Sequence, residues 1–282
     1  MPSIINNVCV CGAGTMGAGI AEVFASGGYQ TILYDVNDEV LHSAENRIRE
    51  NLKRLVAKNK IPSLEEDAIL ERLVFTTTMG AWNADLIIEA IVEDLQPKIS
   101  LLNQLAELNP ATILASNTSS LSLTQIATAL KNPGQLAGLH FFNPAPMMKL
   151  VEIIWTDYTS KEVLKVLEAL ISRLGKTPVT CRDAPGFVVN RVARPFYIES
   201  LRIAEEGHLA FDEIDSLLES RGFKMGPFKL MDLIGNDINY AVSNSLYNQL
   251  NKPERLKPSF LQEEKVKSGD LGKKTGKGYF TY

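Results

Sequence analysis

Through its first half the chain alternates short β-branched runs with stretches whose apolar residues recur three or four apart. This is the pattern of strands buried on both faces and crossed over by helices. NVCVCG (7–12) reads as a strand ending in glycine, TMGAGIAEVFASGG (15–28) as a helix closed by Gly27 and Gly28, and TILYD (31–35) as the next strand. Leu41, Ala44, Ile48, Leu52, Leu55 and Val56 then mark one face of a long amphipathic helix. Further strands are expected in RLVFTTT (72–78), ADLIIEAI (84–91), TILASN (112–117), QLAGLHFF (135–142), KLVEIIW (149–155) and TPVTCRD (177–183). From Val188 to about Leu250 only helical periodicities occur. The prediction is an α/β fold, with a doubly wound parallel-sheet domain over 1–183 and an all-helical domain over 184–282, divided near Pro185 and Gly186. There is no internal repeat, and the Lys/Gly-rich tail KSGDLGKKTGKGYFTY (267–282) is the only abrupt shift in composition.

With 282 residues, 45% of them hydrophobic, the chain is long enough for a large core. A formal net charge of -4 argues against a general binder of nucleic acid or of an anionic membrane, since both require a basic face. A polyanionic ligand would have to meet a local basic patch. Cys9, Cys11 and Cys181 include no CxxC pair, and the first two lie in an apolar run, so reduced thiols and no metal site are expected. Only a few residues precede the first strand, without a charged-then-apolar or Arg-rich leader, and no apolar run approaches about 18 residues. A cytoplasmic protein that spans no membrane is the expectation.

GAGTMG (12–17) sets Gly12, Gly14 and Gly17 in the G-x-G-x-x-G spacing around Thr15 and Met16, and Asp35 closes the following strand. The first glycine permits a tight strand-to-helix turn, the second lets the backbone approach a pyrophosphate, and the third lets the helix pack on the sheet. Phosphates then lie at the positive end of the helix. Strand, loop, helix, strand and acid in that order predict a dinucleotide-binding, Rossmann-like domain. Asp35 is suited to accept from ribose hydroxyls and to repel a 2′-phosphate, and no arginine follows it in VNDEV (36–40), so NAD is favoured over NADP. FAD is the other cofactor this motif alone admits.

Three polar groups fall near the carboxyl ends of the expected strands, where doubly wound folds bind ligands: SNTSSL (116–121), His140 and Asn143. An alcohol that loses a hydride needs a base for its proton, and neutral imidazole suits that near pH 7. Glu152, across a proline-bearing loop, would hold the ring in one tautomer. On residue type and spacing alone, a satisfied core histidine and an edge-strand carboxylate explain the two better than catalysis does. Ser119 fits a donor to a substrate oxygen and equally a helix N-cap before LSLTQIATAL (121–130). Asn190, on the first helix of the second domain, fits a cleft residue or plain surface polarity.

Taken together, GAGTMGAGIA, EAIVEDLQPK, ASNTSSL, HFFNPAPMMKLVEII, DAPGFVVNR, MGPFKLMDLIGND and GKKTGKGYF resemble the 3-hydroxyacyl-CoA dehydrogenase family over essentially the whole chain. The likeness is greatest to its short, single-function bacterial 3-hydroxybutyryl-CoA dehydrogenases. The resemblance implies an NAD-dependent enzyme interconverting (S)-3-hydroxyacyl-CoA and 3-ketoacyl-CoA, with 3-hydroxybutyryl-CoA and acetoacetyl-CoA as the expected pair. It also implies a homodimer formed through the helical domain, which shares in the substrate cleft. By the same resemblance His140 is the general base and Glu152 its partner, while Ser119 and Asn190 touch the substrate oxygen. Glu93, Lys98, Asn143 and Lys274 are implied to touch the cofactor; without the family blocks, Glu93, Lys98 and Lys274 read as solvated charge. Lys58 is the best match to a CoA contact, with Lys53, Arg54 and Lys60 beside it, although Asn51 stands where some members carry an accompanying serine. A solvated basic helix face is the other reading of that cluster. Lys224 and Lys229 depart from the family pattern, which often has a proline and an acid there. Two alternatives remain: a related β-hydroxyacid dehydrogenase with a non-CoA substrate, and a catalytically silent, crystallin-like NAD-binding protein.

Overall fold

A computed structural model describes residues 5–80 and 82–282. The chain forms two compact units that divide between Asp183 and Ala184. In the first unit all eight expected strands form: β1 (Asn7–Cys11), β2 (Gln30–Tyr34), β3 (Leu73–Thr76), β4 (Leu86–Glu89), β5 (Ile113–Ser116), β6 (Leu136–Phe141), β7 (Leu150–Trp155) and β8 (Thr177–Arg182). They make one sheet in the order β3-β2-β1-β4-β5-β6-β7-β8. Every neighbouring pair is parallel except β6 and β7, which run antiparallel. The crossovers carry α1 (Thr15–Ser26), α2 (Asp38–Ala57), α3 (Ser63–Glu71), α4 (Leu95–Leu108), α5 (Leu123–Thr128) and α6 (Lys161–Arg173).

From β1 the chain winds outward to β2 and β3, then returns to place β4 on the other side of β1. That reversal opens a crevice at the carboxyl ends of β1 and β4, the usual ligand position in such sheets. The expected face of α2 is the one that packs: Leu41, Ala44, Ile48 and Leu52 are buried, and Asn37 caps the helix by accepting from the Glu39 and Val40 amides. Central strands covered by helices on both faces are apolar almost throughout. Val8, Val10, Leu33, Leu86, Ile88, Ile113, Ala115 and Leu139 belong to one continuous core. The buried polar residues Glu89, Ser116 and His140 stand at or next to the carboxyl ends of their strands.

The second unit contains α7 (Val189–Glu205), α8 (Phe211–Ser220), α9 (Pro227–Ile234), α10 (Asn236–Gln249) and α11 (Phe260–Lys267), and among its described residues no strand. Its core is built on Tyr197, Leu201, Ile214, Phe228, Met231 and Tyr279. Two glycines of the tail, Gly272 and Gly278, have a packing reason. Asp232 is buried and accepts from the Tyr279 and Phe280 amides, each at 2.9 Å, and a Cβ on Gly272 or Gly278 would overlap it. Among the described residues no helix is long and apolar enough to cross a membrane.

Candidate active site

Two of the three loop glycines are required by the protein itself. Gly12 lies at φ +104°, where a Cβ would sit 2.6 Å from the Ala90 carbonyl oxygen. A Cβ on Gly17 would come within 1.7 Å of the Gly12 carbonyl oxygen, so the close seating of α1 on the loop depends on its absence. Gly14 differs, because a Cβ there meets no protein atom within 4 Å. Packing does not demand that glycine, whereas a group lying across the loop would. Gly14 is also the N-cap of α1 and offers no side-chain cap to the first turn that Thr15 and Met16 begin. Those N–H groups can serve an anion.

The carboxylate of Asp35, one residue beyond β2, is aimed by the same loop. It accepts from the Ala13 amide at 2.8 Å and the Asn37 amide at 3.0 Å. Loop, uncapped helix end and oriented acid therefore fit the pyrophosphate and ribose of a dinucleotide.

At and beyond the end of β4, five charged or polar side chains tie neighbouring strand ends together. Lys98 on α4 is buried, 2.6 Å from Glu89 and 3.3 Å from Glu93. Glu89 also accepts from the Ser116 hydroxyl at 2.6 Å. Glu93 gathers the loop after β5, accepting from the Thr118 hydroxyl at 2.7 Å and from the Ser119 and Ser120 amides at 2.9 and 3.0 Å. Burial lifts the Glu93 carboxyl, but Lys98 and the bonds from Thr118, Ser119 and Ser120 outweigh it and hold the group below its ordinary range. Solvated charge is therefore the wrong description of Lys98, whose ammonium also lies 3.4 Å from the Ile91 carbonyl oxygen. The N-cap reading of Ser119 is overturned too. Helix α5 starts later, and Ser122 caps it by accepting from the Gln125 amide. Glu89 and Ser116 were missed as site residues; the visible signal was a carboxylate ending the apolar run LIIE.

His140 on β6 stands directly opposite Glu152 on β7 in the antiparallel register. Their Nδ1 and Oε2 atoms are 2.6 Å apart, and both side chains are buried. Glu152 is no edge-strand charge, because β8 covers the far side of β7. The His140 ring also packs on Phe142, with centroids 4.4 Å apart. The loop between the strands carries Asn143, which is exposed. Lys176 anchors that loop through the Ala145 and Met148 carbonyls at 2.7 and 2.8 Å. On its other side the loop rests on α1, where a Cβ on Gly19 would lie 3.2 Å from that of Ala145. The Asn143 loop and the glycine loop thus share α1 as a support. Burial, helped by Glu152 and Asp183, pushes the Cys181 thiol up to about 11, so it stays protonated.

The remaining candidates stand on α2 and on elements of the second unit. Lys53, Arg54, Lys58 and Lys60 are exposed at the end of α2, with Arg54 paired to Glu50 at 3.3 Å. Asn51 turns inward and donates to Glu22 at 2.5 Å. In the second unit Asn190 lies in the first turn of α7, Lys274 grips Asp237 at 2.6 and 2.7 Å, and Lys229 pairs with Glu219 at 3.0 Å.

One edge of the sheet can hold a dinucleotide and carries a paired imidazole, the equipment of an NAD-linked dehydrogenase. The comparisons with known proteins give the family. Residues 7–184 match the 3-hydroxyacyl-CoA dehydrogenase NAD binding domain and residues 186–282 the same family's C-terminal domain. The chain belongs to the 3-hydroxyacyl-CoA dehydrogenase family, NAD-dependent oxidoreductases. It is 47% identical over 281 residues to the 3-hydroxyadipyl-CoA dehydrogenase of Escherichia coli, covering 99% of this chain but only 59% of that protein. It is 36% identical to the 3-hydroxybutyryl-CoA dehydrogenase of Mycobacterium tuberculosis, with both chains covered in full. The solved (S)-3-hydroxybutyryl-CoA dehydrogenase of Ralstonia eutropha superposes with a TM-score of 0.94 at 35% identity, over 99% of each chain.

Proposed function

We propose that this protein interconverts (S)-3-hydroxyacyl-CoA and 3-ketoacyl-CoA, with the 3-hydroxybutyryl-CoA and acetoacetyl-CoA pair as a substrate, and that His140 and Glu152 move the proton. The observation that carries the reading is the buried 2.6 Å contact between His140 Nδ1 and Glu152 Oε2 near the carboxyl ends of the sheet. A carboxylate can only accept, so Nδ1 carries the hydrogen and Nε2 presents the lone pair. Nε2 takes the 3-hydroxyl proton in oxidation and returns it to the ketone oxygen in reduction. Glu152 holds the ring in that tautomer and offsets the positive charge it acquires. NAD, when bound, supplies the acceptor for the hydride that leaves C3. Gly12, Gly14, Thr15, Met16 and Gly17 hold its pyrophosphate and Asp35 its adenosine ribose. Asn143 and Lys274 are assigned to the cofactor by family match. Glu93 is assigned there too, and Lys98 acts by fixing Glu93.

Ser119 and Asn190 are assigned as donors to the substrate oxygen, and Lys58 to the CoA phosphates. The proposal includes a homodimer: the second unit exposes Val192, Leu217 and Phe223, apolar surface that a second copy would cover. A cytoplasmic setting agrees with three free thiols. Purified protein given NADH and acetoacetyl-CoA should lose the near-ultraviolet absorbance of NADH, and far more slowly with free acetoacetate. No loss with any of several acyl-CoA chain lengths overturns the reading, and equal rates on the free acid return it to the non-CoA alternative.

A further inference from the structure

The strand that carries His140 outruns its parallel neighbour. Strand β5 pairs with β6 only as far as Ser116 opposite Gly138, while β6 runs on through Leu139, His140 and Phe141. On the far side those last residues are matched by β7, with Leu139 opposite Ile153, His140 opposite Glu152 and Phe141 opposite Val151. On the near side β5 has ended, and a backbone N–H left there needs another acceptor. The Phe141 N–H finds one in the side chain of Asn117, donating to its Oδ1 at 2.9 Å. Of the two ends of that amide only the oxygen can accept, which fixes its orientation. A side chain thus stands in for the strand that has stopped. Its root is firm, because the Asn117 N–H donates to the Glu89 carbonyl at 2.8 Å and continues the ladder between β4 and β5 by one residue.

Asn117 also opens the segment that carries Ser119. Glu93 gathers that segment through the Thr118 hydroxyl and the Ser119 and Ser120 amides, so it is held on the cofactor side, while the Asn117 side chain ties it to β6. Beyond Phe141 the turn is held from the β8 side by Lys176, through the Ala145 and Met148 carbonyls. Loss of the Asn117 bond would therefore loosen the end of β6 without releasing the whole turn. We propose that Asn117 is a positioning residue for proton transfer: it sets the His140 ring against Glu152 and fixes the separation of His140 from Ser119, so that both converge on one substrate oxygen. It acts through the main chain of Phe141. The inference rests on the roles given to His140 and Ser119 above.

Asn117→Ala removes the acceptor and leaves the neighbouring backbone bonds in place. A misplacement of about 1 Å at a reacting group costs about 100-fold, so turnover of acetoacetyl-CoA with NADH by the purified full chain should fall roughly 10- to 100-fold. The loss should lie in kcat with KM little changed, because the misplacement is felt in the transition state. Asn117→Asp keeps an oxygen against the Phe141 amide and should recover most of the turnover. The proton spectrum gives a second readout. His42 and His208 are exposed, so a slowly exchanging, strongly deshielded ring N–H belongs to His140 and its short bond to Glu152. Asn117→Ala should move that signal upfield or broaden it away, and Asn117→Asp should keep it. Turnover of Asn117→Ala within about threefold of wild type, a loss confined to KM, an unmoved His140 signal, or no recovery in Asn117→Asp overturns the proposal. The spectra need no substrate: a wild type that turns over no acyl-CoA overturns the dehydrogenase reading, while the spectra still decide whether Asn117 places His140. Should Asn117→Ala not fold, Asn117→Gln decides, because it keeps the amide but carries its oxygen one carbon too far and should show the same losses.

Discussion

Replacing Glu152 by Gln keeps the shape of a fully buried side chain and removes its charge. The carboxylate lies 2.6 Å from His140 Nδ1 with strands on both sides, so its field is poorly screened. At an effective dielectric constant of about 20, unit charges about 4 Å apart attract by about 4 kcal/mol. Part of that only offsets the cost of burying the carboxylate, leaving about 2–3 kcal/mol that acts when the ring becomes an imidazolium. At 1.36 kcal/mol per factor of ten, turnover should fall by roughly 30- to 150-fold. A larger loss, toward roughly 10,000-fold, would mean that the new amide donates to Nδ1 and inverts the tautomer, as in an Asp-to-Asn change within a serine-protease triad. The assay is the initial rate of NADH oxidation at saturating acetoacetyl-CoA, with NADH affinity measured separately by fluorescence. Turnover within threefold of wild type would refute the pairing as a catalytic device. So would a loss confined to NADH binding.

Other substitutions test the supporting structure. Gly17→Ala should prevent folding, because its Cβ would lie 1.7 Å from a carbonyl oxygen; Gly14→Ala should melt like wild type yet bind NADH more weakly, and unchanged affinity would remove Gly14 from the phosphate site. Lys98→Met strands buried Glu89 without its counter-charge, so urea unfolding should show a loss of about 3–5 kcal/mol, and an unchanged midpoint would contradict the network. Burial raises the Glu22 carboxyl from 4.5 to about 7. The folded state then keeps a proton that the unfolded chain releases, so this contribution is complete below about pH 4.5 and is lost as pH climbs through 7. Glu22→Gln retains an acceptor for Asn51 and should flatten that slope and add up to about 3 kcal/mol at pH 8; thermal melts at pH 5 and pH 8 that change equally in both proteins would refute it.

The legible parts of this protein are those whose cause lies within one segment. Eight expected runs became eight strands, and the central ones were plainest because a strand covered on both faces needs apolar residues along its whole length. The glycine loop and Asp35 could be read because their geometry is set within about thirty consecutive residues, the span of one βαβ unit. The helical character of the chain after Val188 was legible from the change of period. The two extra glycine positions of the tail, Gly272 and Gly278, were visible only as composition; their reason is Asp232, distant in sequence.

By itself, then, the sequence determined the order of elements, the cofactor loop and the residue types available for proton transfer. Only the tertiary structure decided which of those residues meet. The antiparallel reversal of β6 against β7 sets His140 facing Glu152, and nothing in either strand's own pattern encodes the direction of its neighbour. Chain pairing likewise converted Lys98 from a solvated charge into the centre of a buried knot with Glu89 and Glu93. It moved the helix cap from Ser119 to Ser122 and left Arg194 buried among neutral oxygens. Local periodicity records which side of an element faces inward, but the worth of a buried charge depends on what lies across the gap, and only folding brings that group there.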